Sequence, residues 1–406
     1  MLNLYGTPPA ASVPVVREPL GESQAEMRPR VLAAILMLAS AGVALFCGPR
    51  SARPLPLFSR SLGTSCATCH DAVPHLNAVG TRFMQSGYRL EGHTAEPTGR
   101  AAGLPLSVVG SAGITSVRAE PDRPMIGSGF STFELVAAGA PTNRISCHLD
   151  AGVARTGFEF QNGEDFLRFE GLLPAGALAL EVGRFDAELP FLSSERRLTM
   201  TRYLSPIAFG ARGLELNGAH ASWTYAAGLS LSDRTYAGGA SPHAIQPPLE
   251  DTYLRLARTV GEQSFGAQML FDRQNSDLAT LSWLQHMRIQ LGASLAGPGF
   301  TLVPSYVFDR FDDRPMPGVH ERHQYYMLES IVPLGAARRW LVTGRYEHEY
   351  RTPNTYDPEE HRQQAVVQLA WQVIPNARIA LECARADDRL AHQGSADVDA
   401  FAQASW

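Results

Sequence analysis

From about Leu104 to Trp406 the chain repeats short segments of alternating apolar and polar residues, punctuated by Gly, Pro, Asn and Asp. This period of two constrains the fold more than any other feature. Successive side chains leave a strand on opposite faces, whereas a helix groups residues three and four apart. In the clearest segment Trp340, Val342, Gly344, Tyr346, His348 and Tyr350 share one face, and Leu341, Thr343, Arg345, Glu347, Glu349 and Arg351 share the other. A second sets Val367, Leu369, Trp371 and Val373 against Val366, Gln368, Ala370 and Gln372. Composition agrees: charged residues make up only 18 %, with 36 Gly and 28 Pro, which suits many strands and turns. A formal net charge of −5 points away from nucleic acid as a partner.

Alternation suits a soluble sandwich, with polar residues facing water, and equally a membrane barrel, with apolar residues facing lipid. Three features favour the barrel. Aromatic residues cluster at segment ends (Trp340, Tyr346, Tyr350, Tyr325-Tyr326), as membrane-interface girdles require. The segments number about fourteen to sixteen, each near the ten residues a tilted strand needs to cross a bilayer. The chain also closes on Trp406 after Val398, Ala400, Ala402 and Ala404 on one face. The expected fold is all-β: an antiparallel outer-membrane barrel preceded by a small α-helical segment. On this reading Val342 faces lipid and Arg345 faces the lumen, so that Arg345→Gln should be mild.

At the N-terminus Arg28 and Arg30 precede an apolar run from Val31 to Phe46, followed by Gly48, Pro49, Ser51 and Ala52. This is the layout of a secretory signal peptide, and the run is short for a helical span. Met27, just before the basic pair, is the expected true start. Cys47 follows the bulky Phe46, which argues against lipoprotein processing. The expected organisation is an extension and signal peptide over 1–54, a small segment over 55–104 and a barrel over 105–406.

That small segment carries Cys66-Ala67-Thr68-Cys69-His70, the C-x-x-C-H spacing of covalent c-type haem attachment. Two thiols two residues apart reach the two vinyl groups, and the following imidazole reaches the iron. A thioredoxin-type reading needs a βαβ context, and a zinc reading needs a second ligand pair at metal spacing. Cys66 and Cys69 are therefore expected to carry one haem c, with His70 on its iron. A helix is expected from Pro74, with Leu76, Val79 and Phe83 as its apolar stripe and Gly80 and Gly87 packing close to the macrocycle. The sixth ligand stays open among Met84, His93, His75, His148 or none. About fifty residues cannot enclose a haem alone, so the barrel should supply the missing shell. Cys147 and Cys383 share apolar strand faces with Ile145 and Leu149, and with Ile379 and Leu381, and are expected to be wall residues rather than a disulfide.

Two polar stretches, Asp309–Pro315 with His320–His323, and Tyr356–His361, read as long outward loops. Their carboxylates and imidazoles offer transient divalent-metal contacts, although solvated loops suffice.

The run Leu57-Phe58-Ser59-Arg60-Ser61-Leu62-Gly63-Thr64-Ser65 before Cys66, with Pro74-His75-Leu76-Asn77, Gly80, Phe83, Gly87 and Tyr88 after it, resembles the outer-membrane monohaem cytochrome–porin fusions. These include the iron-oxidising cytochromes of Fe(II)-oxidising bacteria. Val79 stands where that family usually has Phe, and Gly183–Phe191 is similar to a strand-and-turn segment of related barrels. The resemblance implies a haem plug in or under the barrel, with Cys66 and Cys69 carrying the haem and His70 ligating it. It further implies an extracellular donor, Fe(II) or another, and a periplasmic electron carrier. The rival expectation is a solute-diffusion porin with a structural or gating haem.

Overall fold

The computed structural model describes Phe58, Leu62, residues 64–89 and, within 106–405, all but 119–124, 155–159, 174–176, 195, 208, 232–250, 278–281, 314–319, 336–337, 353–359, 375–376 and 389–392. The expectations for Met27, the signal peptide, His93, the Tyr356 loop tip and Trp406 lie outside the described residues.

The N-terminal part contains a 3-10 turn at Cys66–Thr68, a hairpin of β1 (His70–Ala72) and β2 (His75–Leu76), and helix α1 (Ala78–Gln85). Sixteen antiparallel strands follow. They are β3 (Leu106–Arg118), β4 (Met125–Gly139), β5 (Ile145–Ala154), β6 (Phe160–Phe169), β7 (Ala179–Ala187), β8 (Phe209–His220), β9 (Trp223–Leu231) and β10 (Asp251–Val260). Then come β11 (Gln263–Asp277), β12 (Ser282–Gly297), β13 (Phe300–Asp313), β14 (His320–Leu334), β15 (Trp340–Arg351), β16 (Glu360–Ile374), β17 (Ala377–Asp388) and β18 (Gln393–Ser405). Each pairs with its neighbours in sequence, and β18 returns to β3 with Ala400 opposite Ile114, closing the barrel.

An even strand number brings Leu106 and Ser405 to the same rim. That rim holds the short connections, including two-residue turns after β10 and β12, where Gly261 (φ +62°) and Gly299 (φ +87°) supply the left-handed backbone such turns need. The opposite rim holds the longer connections, among them 188–208 and 232–250. The N-terminal segment meets this rim through Tyr88 and Arg89, and short turns are the periplasmic end in outer-membrane barrels.

The alternation separates the two sides of the wall as the sequence reading anticipates. Leu254, Leu291, Leu328, Val367, Leu369 and Leu381 lie 43–60 % exposed on the outer face, as a lipid-facing wall requires. Trp223, Phe300, Trp340 and Trp371 ring the short-turn rim, and Trp340 stacks on Trp371 at 5.9 Å. Val342 lies outward and Arg345 inward. The Tyr325-Tyr326 pair does not form one girdle: as neighbours on a strand they split, Tyr326 outward and Tyr325 buried inside. Cys147 and Cys383 are free thiols, as expected.

The loop expectation for the polar stretches is also corrected. Asp309–Asp313 and His320–His323 are not loop but the ends of β13 and β14, with Asp309 opposite His323. Lumen-facing strand ends are polar on one side and so mimic a loop in the sequence. The lumen face of the wall is also not polar throughout. Inward-facing Val303, Met327, Ile331, Leu341, Ala370, Ala380 and Phe401 form apolar patches, and residues 188–207 fold into the barrel to cover them. Leu198 packs on five successive strands through Ile331, Leu341, Ala370, Ala380 and Phe401. Leu189, Leu192 and Ile207 pack on Val303 and Met327. Leu189 also approaches Gly266 and Gly292 so closely that a Cβ there would lie 2.9 and 3.0 Å from it. The Gly183–Phe191 segment is thus the end of β7 and the start of this inward loop.

Candidate functional site

Cys66 and Cys69 flank the 3-10 turn, closed by the Cys69 amide donating to the Cys66 carbonyl at 3.1 Å. Neither thiol is in a disulfide, and Cys66 is buried and Cys69 half-buried; burial, reinforced by Cys66, pushes the Cys69 pKa up. His70 follows in β1 with Nδ1 3.2 Å from the carbonyl of His75 across the hairpin. A donor bond from Nδ1 selects the tautomer whose Nε2 lone pair is available to a metal. Burial lowers the His70 pKa below the usual imidazole value and drives that of His75 down to about 4, so both rings are neutral near pH 7.

Helix α1 begins at Ala78 rather than at Pro74, because Asn77 caps it: Oδ1 accepts from the Gly80 amide at 2.9 Å. The same Asn77 donates through Nδ2 to the Thr68 carbonyl at 3.2 Å, clamping the helix to the thiol turn. Gly80 serves that clamp, since a Cβ there would lie 2.1 Å from the Cys69 carbonyl oxygen. Of the expected stripe, Phe83 is buried against Phe58 (4.9 Å), Leu76 lies before the helix in β2, and Val79 is exposed. Gly87 (φ +66°) faces Ser146 and Glu170 of the barrel.

The segment is fixed to the short-turn rim by a few specific bonds. The Tyr88 hydroxyl lies 2.7 Å from Nδ1 of His148 near the base of β5, and that imidazole stacks on Phe166 at 5.6 Å. Arg89 pairs with Glu170 at 2.8 Å and donates to the Thr142 carbonyl at 3.0 Å, both in short connections. Burial holds the Tyr88 phenol well above its ordinary pKa, so it stays a hydroxyl. Asp71 feels the charges of Arg338 and Glu262, in two further short connections, while burial raises its pKa. Met84 and Tyr88 border a polar cavity in the lumen, with Glu164, Arg168, Glu188 and Arg196 on its other sides.

The sequence-named residues are therefore distributed as follows. Cys66, Cys69 and His70 lie together on one turn and the strand after it. Met84 faces the lumen cavity, His148 is engaged by Tyr88, and the backbone of His75 braces His70. Two reduced thiols outside any disulfide and an imidazole with one nitrogen engaged form a donor set that fits a covalently held haem.

Further up the lumen, the inward loop is held by charged wall residues. Glu382 accepts from the amides of Met200 and Thr201, each at 2.7 Å, and from Gln368 at 2.8 Å. Glu347 accepts from the Ser205 amide at 2.9 Å. Arg345 pairs with Glu347 at 2.8 Å, donates to the carbonyls of Thr201 and Arg202, and lies 4.3 Å from the centre of the Tyr203 ring. Arg345→Gln is thus not expected to be mild, because it removes the cationic partner of the buried Glu347 carboxylate and the bonds to the Thr201 and Arg202 carbonyls. Alternation places Arg345 and Glu382 on the inner face but says nothing of the loop they hold. The non-alternating Leu189, Leu192, Leu198 and Ile207 were the available signal. At the long-loop end His323 is taken by Glu321 (2.6 Å) and Glu349 (3.0 Å). Among the described residues no three His, Cys, Asp or Glu side chains are grouped to hold a metal ion.

No protein-family model matches the sequence, and no curated protein matches it. Solved structures do match. A loop L8 deletion mutant of OmpT, an outer membrane protein of Vibrio cholerae, has a TM-score of 0.55 at 12 % identity, covering 74 % of this chain and 99 % of that one. The anion-selective porin from Comamonas acidovorans gives 0.57 at 12 % identity, with 74 % and 98 % covered. The outer membrane channel DcaP of Acinetobacter baumannii gives 0.55 at 9 % identity, with 75 % and 98 % covered. The chain therefore has the fold of the outer-membrane β-barrel porins.

Proposed function

We propose that the chain is an outer-membrane c-type cytochrome that passes electrons across the outer membrane, from an extracellular donor such as Fe(II) to a periplasmic carrier. One observation carries the reading: a C-x-x-C-H turn, with His70 Nδ1 braced by the His75 carbonyl, is bonded to the short-turn rim of a barrel whose lumen is occupied by its own loop. Cys66 and Cys69 would hold a haem through thioether bonds, and His70 would present Nε2 to the iron. When bound, such a group supplies one-electron chemistry at a potential tuned by its ligands and burial. Asn77 and Gly80 keep the turn and helix in register, while Tyr88 and Arg89 keep the segment against the wall. The apolar contacts of Leu189 and Leu198 narrow that part of the lumen, which favours electron over solute passage.

The test is stopped-flow mixing of the purified protein with Fe(II) in detergent, followed at the haem α-band. Reduction on mixing is the expected result, and an unchanged α-band excludes Fe(II) as donor. The second reading, a solute-diffusion porin with a structural or gating haem, rests on the Arg and Glu side chains beside the loop. It predicts steady ion conductance in planar bilayers, where the first predicts little.

A further inference from the structure

Arg310 on β13 and Arg322 on β14 stand directly opposite each other in the ladder, both on the outward face. Like charges directly opposite in a sheet are destabilising, and here they sit at the long-loop end of a wall that otherwise faces lipid. Arg310 is paired with Asp312 at 3.0 Å, which offsets one of the two charges; Arg322 is exposed and makes no ion pair among the described residues. Two rows nearer the membrane centre, on the same face, Tyr306 stands opposite Tyr326 (ring centres 5.1 Å apart), and Tyr326 stands opposite His348. His348 Nε2 lies 3.2 Å from His361 Nδ1, again facing outward. Beside the tyrosines runs an apolar groove lined by Leu291, Pro304, Tyr306, Tyr326, Leu328 and Tyr346.

We propose that this face is a binding site for a phosphorylated, acylated lipid of the outer leaflet, with its phosphate between Arg310 and Arg322 and an acyl chain in the groove below. The chemistry fits on three counts. Two guanidinium forks across one ladder rung match a phosphate, which relieves their repulsion with charge-assisted bonds. The groove is apolar and bordered by tyrosines, whose ring and hydroxyl suit the boundary between headgroup and chain. The Arg rung lies four residues, about 13 Å, above the tyrosine row, a distance an acyl chain bridges. The occupant is thus set by an anionic head at the rim and an apolar tail along the wall, which a neutral lipid or a free anion supplies only in part.

The test uses the full chain, delipidated in detergent and examined by native mass spectrometry. The probes are a diphosphorylated hexa-acyl glucosamine lipid, its dephosphorylated form, and inorganic phosphate. Wild type should retain the phosphorylated lipid at least tenfold better than the dephosphorylated one. Arg310→Gln with Arg322→Gln should remove that preference, and Leu328→Trp, which fills the groove, should weaken retention while Arg310 and Arg322 are intact. Heat-modifiable electrophoretic mobility establishes that each variant is a folded barrel, and a single Arg322→Gln serves if the double variant does not fold. Equal retention of both lipids would overturn the proposal, as would full competition by inorganic phosphate. A lipid-free oligomer that persists in the double Arg variant would assign the face to a second copy of the chain instead.

Discussion

Removing the Glu382 side chain should release the inward loop while leaving the barrel intact. Glu382 is fully buried and its carboxylate caps the amides of Met200 and Thr201 at 2.7 Å each. In Glu382→Ala both amides lose their acceptor in a site that is fully buried. A buried donor left unsatisfied costs about 1–3 kcal/mol, so the held state should weaken by about 2–6 kcal/mol. At 1.4 kcal/mol per factor of ten, its equilibrium constant should fall by about thirtyfold or more. The interstrand bonds of β16, β17 and β18 do not involve this side chain, so global unfolding should change far less. Hydrogen exchange in detergent reads the effect directly: protection at Met200 and Thr201 should fall by the same factor, with strand amides unaffected. Glu382→Gln keeps one carbonyl acceptor and should fall between. Protection at both amides unchanged within about threefold in Glu382→Ala would show that the loop is held by its apolar contacts alone and refute the reasoning.

Three further outcomes are expected. Cys66→Ala or Cys69→Ala should weaken or abolish the haem stain that survives denaturing electrophoresis, and Gly80→Ala should lower it by forcing α1 off the Cys69 carbonyl; wild-type staining in both cysteine variants would overturn the attachment. Val342→Arg puts a charge on the lipid face two residues from Trp340 at the rim and should cost only about 0–1 kcal/mol, whereas Leu328→Arg in mid-strand should cost about 2–4 kcal/mol, both measured by urea titration in liposomes. Burial raises the Glu188 pKa to about 7, against the partial opposition of Arg196, so the folded loop binds more protons than the released one between about pH 4.5 and 7. Loop stability should therefore be highest below about pH 4.5 and decline as pH rises through 7, and Glu188→Gln should flatten that dependence in pH-resolved hydrogen exchange.

The sequence by itself determined the wall. A period of two assigns side chains to opposite faces without knowledge of any partner strand, so Val342 outward, Arg345 inward and Val367, Leu369 and Trp371 towards lipid were all legible. The C-x-x-C-H spacing was legible for the same reason, being local chemistry within five residues. What only the tertiary structure decided depends on residues far apart in the chain. Leu198 meets Phe401, Met200 meets Glu382, and Tyr88 meets His148. No periodicity encodes such pairings. The polar ends of β13 and β14 read as loop because a strand facing a wet lumen carries loop-like residues. Beyond the strand-and-turn likeness of Gly183–Phe191, the inward course of 188–207 was not legible, because its leucines do not alternate. Their burial becomes intelligible only once sixteen strands close and present an apolar inner patch that must be covered, since apolar surface left in a water-filled lumen would be costly.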